Sequence, residues 1–173
     1  TDKSVYEYAE ANHETGSGVY YFELYSTQGG GAIINPTDAN ARLISFGTDG
    51  YIGVTAADGK LSASDGTNAA ASDAAVPALA SRCALVYSAT DGKMVLCVDG
   101  TYGAEATFSG DMSINDDIFL GRLTDFCFGL RNGKHYSGIS SLAEGKAIVD
   151  ALMIADGIFA DNDGNLMVDN SGN

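Results

Sequence analysis

The chain has 173 residues, 45% of them apolar and only 18% charged, which suits one folded domain with a sizeable core and excludes a disordered chain. Asp and Glu total 23 against nine Lys and Arg, so the net charge of −14 opposes nucleic-acid and anionic-membrane partners. No run of 18 apolar residues occurs, so no membrane insertion is expected.

The opening Thr1-Asp2-Lys3-Ser4-Val5 lacks the basic and apolar stretches of a secretory signal. Val19-Tyr20-Tyr21-Phe22-Glu23-Leu24-Tyr25 reads as a strand whose alternation puts Phe22 and Leu24 on one face and Tyr21 and Tyr25 on the other. Arg42–Phe46 and Tyr51–Thr55 flank a turn at Thr48-Asp49-Gly50. Asp-Gly recurs at 58–59, 65–66, 91–92, 99–100, 156–157 and 163–164, and Asn-Gly at 132–133; such pairs accept the positive φ that tight turns need. Residues 56–81 are diluted in Ala, Ser, Asp and Gly. They read as a surface connection, with a short helix as the alternative.

Cys83–Ser88 and Met94–Asp99 form the best-specified hairpin. A two-residue Asp91-Gly92 loop would pair Tyr87 with Leu96, Leu85 with Val98 and Val86 with Cys97. One face then collects Cys83, Leu85, Tyr87, Met94, Leu96 and Val98, and Cys97 falls on the other. Cys83, Cys97 and Cys127 show no metal-type spacing and are expected as reduced core residues. Ile118–Gly121 and Phe126–Leu130 read as strands, and His135 as a loop residue beyond them. Ile148–Ile154 reads as a strand, although Ser141 and Glu144 offer a capping box for a helix lined by Leu142, Val149, Leu152 and Met153. The fold class expected is all-β, a sandwich of two packed antiparallel sheets, over one domain at 1–160 with a polar tail at 161–173.

The middle and end of the chain resemble the laminin-G-like branch of the concanavalin A-like lectin/glucanase superfamily. Arg82–Tyr87, Met94–Gly100 with its closing Asp-Gly, Ile118–Arg122 and Gly145–Ile154 are similar to four strands of that family, across roughly residues 42–156. The resemblance implies a jelly roll and, for Gly145–Ile154, a closing strand. It differs in having no Trp and a long stretch from Asn132 to Glu144.

Glycosidase members of that superfamily use a Glu-x-Asp-x-x-Glu strand; the six glutamates at 7, 10, 14, 23, 105 and 144 begin no such pattern. His13 and His135 make no metalloprotease spacing, and no Gly-x-Ser-x-Gly elbow exists, so no enzyme is expected. Oxygen ligands for calcium are offered by Asp161, Asp163 and Asn165, and separately by Asp116, Asp117 and Asp125; laminin-G-like domains place a cation at a rim loop. Tyr21 and Tyr25 are the candidate saccharide platform.

The function expected is a non-catalytic structural, decoration or adhesion module of a surface assembly, a virion or cell appendage. Its partners would be proteins of that assembly or surface glycans, in an extracellular setting. The alternative is a lectin-like carbohydrate-binding module assisted by calcium.

Overall fold

A computed structural model describes residues 6–8, 16–26, 41–46, 49–55, 57–76, 80–112, 118–120, 128–155, 158–160 and 166–168. In chain order the elements are β1 (Tyr6–Tyr8), β2 (Gly18–Ser26), β3 (Ala41–Phe46), β4 (Gly50–Val54), β5 (Lys60–Asp65), β6 (Ala69–Ala75), β7 (Ala80–Ser88) and β8 (Lys93–Val98). There follow β9 (Thr101–Tyr102), β10 (Ala106–Thr107), β11 (Ile118–Leu120), β12 (Phe128–Ser137), α1 (Leu142–Ala155), β13 (Ile158–Ala160) and β14 (Leu166–Val168). One antiparallel sheet runs β1-β11-β3-β4-β5-β6. The other runs β10-β8-β7-β2-β12, with β9 on β8, and β13 pairs β14 separately. The chain is an all-β sandwich of two packed antiparallel sheets, as its composition and turn spacing indicate.

Alternation along the strands builds the core. Phe22, Leu24, Leu85, Tyr87, Leu96 and Met94 from one sheet meet Ile44, Phe46, Ile52, Val54 and Leu61 from the other. Burying each such side chain contributes about 1.5–3 kcal/mol. The opposite face of the β7–β8–β2 sheet is buried as well. Val19, Tyr21, Ala84, Val86, Val95 and Cys97 lie beneath Leu142, Val149 and Met153 of α1.

α1 corrects the strand read at Ile148–Ile154 and the closing strand implied by the family resemblance. Its start is fixed by caps. Glu144 N–H donates to Ser141 Oγ at 3.2 Å, and the Glu144 carboxylate accepts from the Ser140 N–H at 2.7 Å and the Ser140 hydroxyl at 2.6 Å. A third acceptor comes from the β7–β8 loop: Asp91 Oδ2 takes the Leu142 N–H at 2.6 Å. The helix is therefore tied to the sheet that it covers.

The hairpin register also differs. Cys83 pairs with Val98, Leu85 with Leu96 and Tyr87 with Met94. The loop is four residues, Ala89–Gly92, closed by a Gly92 N–H to Ala89 C=O bond at 3.3 Å and by Ser88 Oγ donating to Asp91 Oδ2 at 3.1 Å. The shift is two residues, so face assignments survive. Cys83 faces the inter-sheet core and Cys97 the helix; both are free thiols. Burial pushes Cys97 up to about 12 and Cys83 well above 9.0. Cys127 lies outside the described residues.

Residues 60–75 are not a loose connection but β5 and β6. Small side chains suit β6 because it lies close to β8, β9 and β10; the backbone at Gly103 approaches Ala71 O too closely for any Cβ. Asn132-Gly133 is no hairpin turn either. It forms a β-bulge inside β12, with Asn132 at φ 53, and His135 stands on the strand rather than in a loop. Among the described residues β12 is the last strand of its sheet. Arg131, the bulge and Lys134 discourage sheet extension there.

Candidate functional site

Along β2 the face opposite the inter-sheet core carries Val19, Tyr21 and then Glu23. Antiparallel register sets Glu23 beside Arg131 of β12 on one side and Arg82 of β7 on the other. Asp99, just after β8, stands next to Arg82: the Arg82 N–H donates to Asp99 Oδ1 at 2.8 Å, and the Asp99 N–H returns to Arg82 O at 2.8 Å. A row of alternating charge, Arg131–Glu23–Arg82–Asp99, thus crosses four neighbouring segments, adjoining the patch that α1 covers.

Glu23 is 3% exposed. It accepts from Arg131 Nη2 at 2.5 Å and from Asn132 Nδ2 at 3.1 Å, so the bulge delivers the amide that completes the carboxylate's partners. The Arg131 hydrogen bond holds Glu23 below its ordinary 4.5 against the opposing effect of burial, helped by the charges of Arg82 and Arg131. Burial pushes Asp99 above its ordinary 3.8, partly offset by the Arg82 N–H, Ser81 and the Arg82 charge. Arg82 is half-buried, and its Nε–H is buried without a hydrogen-bond partner.

A carboxylate whose folded value is lowered contributes stability above its unfolded value, and loses it as pH falls through the folded value. Glu23 therefore steepens the acid limb of stability below about 4.5. Glu23→Gln is expected to flatten that limb, read as urea midpoints between about pH 6 and pH 3. An unchanged slope would show that Glu23 is not held as the geometry requires.

A second polar group lies on the inner face at the β12 side. The His135 ring stacks on Tyr20 with centroids 4.2 Å apart and planes at 15°, and His135 Nε2 is 3.1 Å from the hydroxyl of buried Tyr87. Tyr20 in turn rests on Phe46, 5.0 Å away. The register that puts His135 opposite Tyr20 makes this an extension of the core's aromatic packing.

Tyr21 is corrected as a platform residue. It does share the outer face, but it is 0% exposed, enclosed by the helix-covered cluster, with Lys134 Nζ 5.7 Å from its ring centroid. Tyr25 keeps its register position opposite Gly129 and Ala80, on Glu23's face by strand alternation. Asp161, Asp163, Asn165, Asp116, Asp117 and Asp125 lie outside the described residues. Among the described residues no three His, Cys, Asp or Glu gather as a metal cluster, and no helix is long and apolar enough to cross a membrane. Glu23, Arg82, Asp99, Arg131 and Asn132 were not visible as a group in the sequence. The available signal was an acid at position 23 between two tyrosines of one strand face.

No family model and no curated protein matches the sequence. Solved structures do match in fold. A candidate carbohydrate-binding protein from Bacteroides ovatus aligns with a TM-score of 0.60 at 13% identity, over 82% of this chain and 43% of its own. The binding domain of botulinum neurotoxin DC, in complex with rat synaptotagmin II, gives 0.53 at 11% identity, over 88% of this chain and 39% of its own. A botulinum neurotoxin type C structure, described by the dependence of cell entry on two ganglioside molecules, gives 0.54 at 10% identity, over 87% and 39%. The class defined is an all-β sandwich. The chain spans about two fifths of the length of these structures.

Proposed function

We propose that the chain is a non-catalytic carbohydrate-binding module acting at an extracellular surface, with its site on the Arg131–Glu23–Arg82–Asp99 row. The observation that carries this reading is the row itself: four charges of alternating sign set side by side by the strand register, with Glu23 and Arg131 locked as an ion pair. Each saccharide hydroxyl is both donor and acceptor, so it fits where a carboxylate and a guanidinium stand side by side. Glu23 and Arg131, already held by their mutual bond, lose little freedom on binding. Asn132 adds an amide, and Tyr25 is the proposed aromatic partner on the same strand face.

Glu23 is poorly suited to proton transfer, because its oxygens are occupied by Arg131 and Asn132 and it is held ionised. The neighbours named above are described by binding rather than by catalysis, which supports the same reading. Their descriptions name carbohydrate, ganglioside and synaptotagmin. They lend nothing to a structural module of a virion or appendage, and the saccharide reading takes its place as the main one.

A glycan array followed by calorimetric titration tests the proposal. Asn132→Gly keeps the backbone at positive φ and removes only the amide, and Tyr25→Ala removes the aromatic. Each is expected to weaken binding about tenfold, the effect of one or two lost contacts, without lowering the melting temperature by more than a few degrees. Binding that both variants leave untouched would move the site elsewhere, and an empty array would end the carbohydrate reading.

A further inference from the structure

We infer that the row selects neutral saccharides and rejects acidic ones, a specificity that rests on the carbohydrate reading of the same site. The charges decide it. Arg131 and Arg82 together carry two positive charges, and Glu23 and Asp99 offset both within the row. The four charges of the row therefore sum to zero, and Lys134, the next cation on β12, stands over the Tyr21 ring, 5.7 Å from its centroid. Farther out, a chain of net charge −14 repels an anion before it arrives.

Close contact gives the same answer. An acidic saccharide that paired with Arg131 through Nη2 would compete with Glu23, whose Oε1 lies 2.5 Å from that atom. Displacing that pair would strand a carboxylate that is 3% exposed, and an uncompensated buried charge is strongly unfavourable. Arg82 itself stands between two carboxylate-bearing positions. A neutral hydroxyl suits this arrangement, because it can accept from a guanidinium of the row while donating to Asp99. An anionic group placed there meets like charge on both sides.

Glu23 is thus the specificity residue: it keeps the row neutral and occupies the guanidinium that an acidic sugar would seek. The experiment uses the full chain and pairs of array glycans that share a core and differ only in carrying, or lacking, a terminal carboxylate or sulfate. Hits are followed by titration in about 50 and 300 mM salt. Neutral members are expected to bind at least tenfold more tightly than their acidic counterparts, with little dependence on salt.

In Glu23→Gln the preference should narrow or reverse, because the row then carries a net positive charge and the ion pair of Arg131 with Glu23 is lost. Should Glu23→Gln fail to fold, Asp99→Asn carries the same test from the other end of the row. Equal or tighter binding of the acidic members by the unaltered chain overturns the inference and leaves the carbohydrate reading standing. A neutral preference unchanged in a folded Glu23→Gln or Asp99→Asn variant overturns the role assigned to the row. No glycan bound at all overturns both.

Discussion

Replacing Asp65 with Ala is expected to destabilise the protein by about 3 kcal/mol, lowering its melting temperature by roughly 6–12 °C. Asp65 ends β5 and is 3% exposed. Its Oδ1 accepts the N–H groups of Thr67 at 2.8 Å and Asn68 at 2.6 Å, which shapes the β5–β6 turn. Its Oδ2 accepts Asn68 Nδ2 at 3.1 Å and, from across the sandwich, the N–H of Ser109 at 2.7 Å. One carboxylate therefore holds a turn of one sheet against the segment leaving β10 of the other. Alanine leaves four donors to find other partners, and those nearest solvent recover part of the loss through water, which keeps the estimate below the sum of four charged hydrogen bonds.

Asp65→Asn separates the two roles. Its carbonyl can serve the turn, while its amide nitrogen then faces the Ser109 N–H donor. It is expected to lose about half as much. Acid reinforces the test. Burial raises the Asp65 value, but the bonds from Asn68, Ser109 and Thr67 prevail and hold it below the ordinary 3.8. Its contribution is present above that value and disappears as pH falls through the lowered one, so Asp65→Ala should lose less stability, relative to the unaltered chain, as the solution is acidified. A loss under 1 kcal/mol at neutral pH by urea unfolding would refute the assigned role.

Sequence reading reached the sandwich because its evidence is local. Asp-Gly pairs at 58–59, 65–66, 91–92 and 99–100 do sit in turns, and the period-two pattern of β7 and β8 assigns Cys83, Leu85, Tyr87, Met94, Leu96 and Val98 to one core. What failed was settled by distant partners. The β7–β8 loop is longer than its Asp-Gly pair suggests because Ser88 and Asp91 close it, and Asp91 has a further role 51 residues away at the start of α1. β5 and β6 offer little bulk, yet they pair because β6 is pressed close to the opposite sheet's edge.

The candidate site was hidden for the same reason. Position 23 is visible as an acid in a tyrosine-rich strand, but Arg82 is 59 residues on and Arg131 is 108 residues on. Only the order β8-β7-β2-β12 and its register make them neighbours. Asn132-Gly133 was legible as a place of positive φ, and that part holds; whether such a pair makes a turn or a bulge depends on whether the chain beyond it keeps pairing with β2. Tyr21 illustrates the limit of alternation: its face was right, but nothing in β2 itself indicates that a helix beginning as far along the chain as Leu142 covers it.

That helix yields the second large effect. Gly145→Ala is expected to cost about 2 kcal/mol, although Ala is favoured over Gly inside a helix by about 1 kcal/mol. The two terms have opposite signs, so the measurement decides which governs. A Cβ at position 145 would run into Val86 Cγ1 and would lie 2.7 Å from Ile139 Cδ1 and 3.3 Å from Val19 Cγ2. Ile139 can turn its distal carbon away. Val86 cannot, since its branch point is at Cβ and its backbone is fixed between β2 and β8. The helix must then lift from the sheet, loosening Leu142, Val149 and Met153 from the patch beneath them and straining the bond from the Leu142 N–H to Asp91. Glycine here, which opens the stretch for which the family resemblance implied a strand, is what lets a helix approach a sheet closely. Thermal unfolding of Gly145→Ala beside Ala147→Gly, which reads the helix preference alone at an exposed position of α1, would separate the two effects; a stabilised Gly145→Ala would mean that α1 does not sit against Val86 and Val19 as described.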